Sequence, residues 1–295
     1  MVAEHTPIAP PTKTGHNARV RIVVVLLLLS GVARADVALT DELGAAHVIA
    51  DGATVLDARD AGDYRAGHLP HAVRIDWKDY RDGWGRTGRM SDDDRALAAK
   101  LSALGVDDRR AVVVYGKGRD GFGEEGRIAW MLAYLGHPRV VLLDGGYAAW
   151  HGERGGDTKP GPGTFTVRRD PTLRADLDTV RRAVHDHEPI LDIRTDEEWH
   201  GARKYYEARG GHLPGARLVP FASLFDDGGK LDRQALVARL KGLGISRGRP
   251  VYVYCTGGVR SALATVVLRA LGYDAKNFDA SFWAWAARED LPVER

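Results

Sequence analysis

The chain carries the same short text twice, and this repeat constrains its fold more than any other feature. Val55-Leu-Asp-Ala-Arg59 returns as Ile190-Leu-Asp-Ile-Arg194, and Gly67-His-Leu-Pro70 returns as Gly211-His-Leu-Pro214, continuing to Gly215 and Ala216. Leu135-Gly-His137 returns as Leu271-Gly-Tyr273. Asp144-Gly-Gly-Tyr-Ala-Ala-Trp150 returns as Asp279-Ala-Ser-Phe-Trp-Ala-Trp285. Landmarks recurring in one order mean two copies of one structural unit. In each copy short apolar runs alternate with helix-period runs, which predicts two α/β domains, each a mostly parallel sheet flanked by helices. A chain of 295 residues has room for both.

The expected divisions are a first unit over residues 40–151, a linker over 152–175 and a second unit over 176–295. Glycine and proline concentrate between 152 and 171, which marks the connection. Within the first unit, Thr40 or Asp41 can cap a helix to about Ile49, and a short strand covers 54–56, ending in Asp57-Ala-Arg59. A helical piece covers 61–66. Ser91 opens a helix to Leu104, with Asp92, Asp93 and Asp94 favourably placed in its first turn. Strands follow at 111–115 and 139–143, with a helix at 124–135 between them, and Asp144 begins a final helix through Trp150.

The two copies differ most at one strand end. In the second, Val251-Tyr-Val-Tyr254 runs into Cys255, the only cysteine, and the loop Cys255-Thr256-Gly257-Gly258-Val259-Arg260 feeds a helix over 262–271. A sulfur between a strand end and a helix start meets unpaired N–H groups and the positive end of the helix dipole. Arg260 adds a full charge, and Ser261 a hydroxyl, so the residue reads as a reactive thiolate rather than an inert core cysteine. In the first copy Val112-Val-Val-Tyr115 runs into Gly116, and the following loop, 117–123, is longer. That unit has no nucleophile and is expected to be catalytically silent, keeping a surface instead.

These residues resemble the rhodanese sulfurtransferases in their tandem two-domain form. The resemblance covers nearly all of residues 40–290. It rests on Asp-x-Arg after a strand (Asp57 and Arg59, Asp192 and Arg194), Gly211 to Ala216, the loop Cys255 to Ser261, and the closing Asp-x-x-x-x-x-Trp. The resemblance implies a catalytic Cys255 that becomes a persulfide by attacking the outer sulfur of a small anionic donor such as thiosulfate. A thiol, which can be a protein thiol, or cyanide then takes the sulfur. Thr256, Gly257, Gly258, Val259, Arg260 and Ser261 are the implied substrate-binding loop, a small amide ring holding the sulfur anion. Asp192 and Arg194 are expected to support it as an ion pair orienting the strand end. Some thiosulfate enzymes of the family carry a basic residue two positions after the cysteine and another after Asp-x-Arg. Here those positions hold Gly257 and, approximately, Glu198. The mercaptopyruvate branch has Cys-Gly-Ser-Gly, which this loop also lacks.

Three other functions compete with a thiosulfate sulfurtransferase: a 3-mercaptopyruvate sulfurtransferase, a persulfide carrier or sensor without turnover, and a cysteine phosphatase. A phosphatase loop needs five residues between cysteine and arginine, and four stand here. No cofactor or metal is expected: His185, His187 and His200 lack metal-ligand spacing, and no glycine-rich nucleotide loop follows a strand. His212 reads as a turn-stabilising residue, and Trp283 and Trp285 as packing. The net charge of +2 conceals four basic residues against Glu4 in the first 35, leaving −1 for the remainder, so no nucleic-acid partner is implied. Arg19 and Arg21 precede an apolar run at 22–29, followed by Ala33-Arg-Ala35. Residues 1–35 therefore read as a signal peptide directing a periplasmic or secreted protein without stable membrane association after cleavage. The rival is an uncleaved membrane anchor, disfavoured because the run is short.

Overall fold

The computed structural model describes residues 37–83, 85–155, 159 and 161–295, and the export segment read in residues 1–35 lies outside them. The first half runs β1 (Val37–Thr40), α1 (Glu42–Ala50), β2 (Thr54–Asp57), α2 (Ala61–Ala66), β3 (Ala72–Arg74), α3 (Asp94–Ala103), β4 (Val112–Tyr115), α4 (Glu124–Tyr134) and β5 (Val140–Leu143). The second repeats it as β6 (Arg174–Ala175), α5 (Leu177–His185), β7 (Ile190–Asp192), α6 (Asp196–Trp199), β8 (Arg217–Leu218), α7 (Arg233–Gly242), β9 (Pro250–Tyr254), α8 (Arg260–Ala270), β10 (Asp274–Phe278) and α9 (Ser281–Ala286).

Each half builds a five-stranded, wholly parallel sheet, ordered β1-β5-β4-β2-β3 and β6-β10-β9-β7-β8. The two orders are one topology. β4 is buried along its whole length and β9 for most of it, which is why they read as β-branched and aromatic runs without polar alternation.

The halves share a core. Residues 125–134 of α4 and 260–269 of α8 are all buried, and the two helices pack on each other. A Cβ on Gly126 would lie 2.4 Å from the backbone of Leu263, so glycine is what lets them approach. One hydrophobic cluster runs through Leu56, Val112 and Val114 of the first sheet, both helices, and Val251 and Val253 of the second. The connection is pinned along the first half: Phe165 is buried, and the Arg168 and Asp170 N–H groups donate to Leu135 and Tyr134 carbonyls, both at 2.8 Å.

The structure moves several sequence-derived boundaries. Asp93, not Ser91, supplies the cap of α3 by accepting from the Ala96 N–H at 2.9 Å, so that helix begins at Asp94. The segment after Asp144 is a single 3-10 turn, Gly146–Ala149, whereas its counterpart in the second half is the α-helix α9. β1, β3, β6 and β8, outer strands of two to four residues, carried no readable pattern.

Both sheets are locked at the same point. Asp192 ends β7, and its fully buried carboxylate accepts from Arg194, at 2.6 Å to Nη2, and from the Tyr254 hydroxyl at 2.5 Å. Arg194 also donates to the Gly211 carbonyl at 2.7 Å, and the Leu213 N–H donates to the Tyr254 oxygen at 3.1 Å. Asp57, Arg59, Tyr115, Gly67 and Leu69 reproduce every one of these bonds in the first half. Burial, with the charge of Asp192, raises the Tyr254 pKa well above a phenol's ordinary value, so it stays a donor. The recurring Asp-x-Arg and Gly-His-Leu sequences are therefore the two ends of one network that ties β7 to β9 and β2 to β4.

Removing one partner of such a pair strands the other charge in the interior. Asp57→Ala should lower unfolding stability by about 3–5 kcal/mol, read by urea titration, although it lies in the half without a nucleophile.

Candidate active site

The helices divide into two kinds at their N-termini. α1, α2, α3, α5, α6 and α7 start on side chains that accept from the first turn: Asp41, Asp60, Asp93, Asp176, Thr195 and Asp232. α4, α8 and α9 have no side-chain cap. In α9 the Phe282 and Trp283 N–H groups donate to the carbonyls of Cys255 and Thr256. The first N–H groups of α4 and α8 are left for something else, as at an anion site.

At α8 that something is Cys255. The residue follows Tyr254, so the buried network sets its position directly. Its N–H donates to Ser281 Oγ at 2.8 Å, and its carbonyl accepts from the Phe282 N–H at 3.1 Å. Sγ lies 3.5 Å from Ser261 Oγ. Burial pushes the thiol pKa up. Arg260, the hydroxyl and N–H of Ser261, and the Gly257 N–H outweigh it, and the pKa falls below the ordinary thiol value. Ser261 has one proton and two acceptors, because its oxygen also lies 2.7 Å from Asn277 Oδ1. When sulfur is anionic the proton can turn to it.

The loop's shape depends on its glycines. Gly258 has φ +76°, and a Cβ there would meet the Asp279 carbonyl oxygen at 2.2 Å. A Cβ on Gly257 would strike the Trp283 ring at 2.3 Å. Thr256, Gly257, Val259 and Arg260 line, with Cys255, a cavity of about 390 Å³, whereas Gly258 and Ser261 lie beneath. The Gly258 carbonyl accepts from Asn277 Nδ2 and from Arg127 of α4, each at 3.2 Å.

Arg260 faces inward. Nη1 and Nη2 donate to the two oxygens of Glu198 at 2.7 and 2.8 Å, and Nη2 reaches Thr256 Oγ1 at 2.8 Å. Thr256 donates in turn to Glu198 Oε1 at 2.6 Å. Burial opposes ionisation of Glu198, yet Arg260 and Thr256 hold its pKa down to about 2. The carboxylate that orients this arginine is thus Glu198, from the capping box of α6, while Asp192 is spent on Arg194 and Tyr254 behind the strand end.

Sequence reasoning missed half of the cavity wall. Trp77, Lys78, Phe122 and Glu124 come from the first half, and Tyr205 and Trp283 from the second. Phe122 meets Tyr205 edge-on at 6.2 Å, across the join between halves. Trp283 therefore does more than pack, while Trp285 is buried as expected, and His212 stacks on Trp199 at 3.5 Å. Arg127 reaches under the catalytic loop from the first half and also bonds the Gly88 carbonyl. No sequence signal short of the fold points to these residues. Among the described residues no group of three or more His, Cys, Asp or Glu could hold a metal ion.

In the first half the equivalent place is filled. A Cβ on Gly116 would lie 2.1 Å from Glu125 Oε2. Glu125, the second residue of α4, stands where Ser261 stands in α8. Its buried carboxyl is pushed up by burial to a pKa of about 8, and its Oε2 has no hydrogen-bond partner among the described residues. A side chain thus takes the place of the sulfur.

Two outcomes follow. A depressed carboxylate pKa contributes stability that is present above about pH 4.5 and lost as pH falls through about 2. Glu198→Gln should flatten that loss, seen in urea titrations from pH 5 to 2, and should cost about 3–5 kcal/mol at neutral pH by leaving Arg260 unpaired. Gly116→Cys, made in a Cys255→Ser background, should gain no sulfur on mass spectrometry after donor treatment, because the Glu125 carboxyl occupies the space and the loop is longer.

The rhodanese-like domain family matches at residues 40–153 and again at 176–288. The SseB protein of Mycobacterium tuberculosis is 34% identical over 284 residues, covering 89% of this chain and 98% of that one. The thiosulfate sulfurtransferase of Azotobacter vinelandii is 29% identical over 248 residues, 81% of this chain and 90% of its own. The crystal structure of Escherichia coli SseA, a 3-mercaptopyruvate sulfotransferase, superposes with a TM-score of 0.72 at 25% identity, over 83% of this chain and 98% of that one.

Proposed function

The chain belongs to the rhodanese family, as a tandem of two rhodanese-like domains, and from that premise we propose that it is a sulfurtransferase moving sulfane sulfur from thiosulfate, or a related donor, to a thiol or cyanide. The observation that carries the reading is the single cysteine at the floor of the cavity, its pKa lowered by a loop arginine, a hydroxyl and loop N–H groups. In the first half-reaction the Cys255 thiolate attacks the outer sulfur of thiosulfate. The sulfur–sulfur bond of the donor breaks, and its electron pair leaves with sulfite. In the second, an acceptor thiolate or cyanide attacks the outer sulfur of the persulfide, returning an electron pair to Sγ. Each step forms one bond to sulfur and breaks one, without an external oxidant.

The uncapped start of α8 suits this chemistry, because the anion moves outward by one sulfur atom while the donors around it stay fixed. The same four-residue interval between Cys255 and Arg260 disfavours a phosphatase. The family resemblance to the Escherichia coli enzyme keeps 3-mercaptopyruvate as the second donor. The loop Thr256-Gly257-Gly258 differs from the Gly-Ser-Gly of the mercaptopyruvate branch, which supports thiosulfate as the first donor, although the basic residue some thiosulfate enzymes carry at the place of Gly257 is absent too. Turnover separates an enzyme from a persulfide carrier. We place the protein outside the cytoplasm on the strength of residues 1–35 alone, and fractionation of cells expressing the full chain tests that placement.

Intact mass after thiosulfate treatment should rise by one sulfur atom, located on Cys255. Cys255→Ser should show neither the gain nor thiosulfate:cyanide turnover while keeping its unfolding midpoint. Turnover surviving in that variant would remove the persulfide mechanism, since the chain has no other cysteine.

A further inference from the structure

The pocket must hold the anionic end of its donor, and Arg260, the charged member of the implied substrate-binding loop, is already occupied. Arg260 is 5% exposed and makes three charge-assisted bonds, two of them to a carboxylate that is itself fully buried. Turning it toward a ligand would orphan Glu198. Arg127 is buried beneath the loop, with both terminal nitrogens donating to the Gly258 and Gly88 carbonyls. The position two residues after the cysteine, Gly257, has no side chain and faces Trp283.

Among the described residues, Lys78 is the remaining cation on the cavity wall. It is exposed, and among the described residues its ammonium makes no hydrogen bond or ion pair. Its backbone, by contrast, is held: the Lys78 N–H donates to Asp76 at 3.1 Å, starting the 3-10 turn Trp77–Tyr80 that also places Trp77 on the wall. Glu124 brings the opposite charge to the same cavity. Its Oε2 accepts from the Phe122 N–H at 2.8 Å, and among the described residues no cation pairs with it.

We propose that Lys78, in the half without a nucleophile, holds the anionic end of the sulfur donor, and that Glu124 limits how much negative charge the pocket accepts. Lys78 is a specificity residue: it touches the end of the donor away from the transferred sulfur. Glu124 repels a dianion such as thiosulfate more than a monoanion such as an alkanethiosulfonate. The two residues together make donor charge, rather than donor size, the discriminating property. The identity of the anion rests on the sulfurtransferase reading; the anion-holding role of Lys78 does not.

The test separates the two. Cys255→Ser cannot take sulfur, so it reports binding alone, and Trp77 and Trp283 on the cavity wall supply a fluorescence signal. In that background Lys78→Ala should raise the Kd of thiosulfate about three- to tenfold and that of methanethiosulfonate less, and Lys78→Arg should restore most of the loss. Glu124→Gln, which keeps the acceptor for Phe122, should tighten thiosulfate about two- to threefold. Both effects should shrink with added salt. With Cys255 present, the Lys78→Ala deficit should appear in KM, with kcat within about twofold of the parent. A thiosulfate Kd that Lys78→Ala leaves unchanged, equal losses for both anions, or no thiosulfate binding by Cys255→Ser would overturn the proposal. Failure of the intact enzyme to acquire sulfur, with Lys78-dependent anion binding retained, would instead overturn the sulfurtransferase reading.

Discussion

The buried Asp–Arg–Tyr network is the constraint on which the rest of the structure depends. It costs the interior two charges per half, and it stays because the carboxylate, the phenol and the Gly211 or Gly67 carbonyl each pair with good geometry, although the buried Nη1 of Arg194 has no hydrogen-bond partner among the described residues. Its effect is positional. By binding the tyrosine at the end of β9 to the aspartate at the end of β7, it leaves the next residue at one place relative to the helix that follows. The network frames a strand end twice, and in the second copy the residue that follows is the cysteine.

What differs between the copies is how the unpaired N–H groups of an uncapped helix are satisfied. In α8 they face a thiolate, and the full charges around it are arranged to favour ionisation. Arg260 is held by Glu198 from another helix, and Arg127 supports the loop from the other half. In α4 the equivalent space is filled by the Glu125 carboxyl. A carboxyl with little solvation and only amide dipoles for company is pushed toward its neutral form. The contrast between Glu198, depressed by a guanidinium, and Glu125, raised by burial, shows how far one residue type is tuned by what stands beside it.

Much of this could be read from the chain. The repeat, the parallel α/β class and the place of Cys255 and Gly116 at matching strand ends are all local statements about strand ends and loops. The Asp41 cap of α1 is another, since a cap and its N–H lie within a few residues, whereas the cap of α3 falls on Asp93 and not on Ser91. The outer strands were hidden because two to four residues cannot show a period, and β1 gains its strand character only by pairing with β5, a hundred residues later. The partner of Arg260 was hidden for a similar reason. Sixty-two residues separate it from Glu198, and nothing in the text around Asp192 or Glu198 says which carboxylate turns toward the loop. Lys78 and Phe122 sit in stretches with no chemical pattern, and they become part of the cavity only because the two sheets share α4 and α8.

That shared pair of helices bears on the history of the chain. A duplicated unit ordinarily leaves each copy free to drift, shrink or be lost. Here the copies meet through helices buried on every side, and α8 sets Leu263 against Gly126 of its counterpart, with Val267 and Leu268 buried in the same core. The active half has no solvent-compatible outer face of its own at this join. The silent half has become an inherited obligation: losing it would expose the core of its neighbour, so its persistence needs no chemistry to explain it.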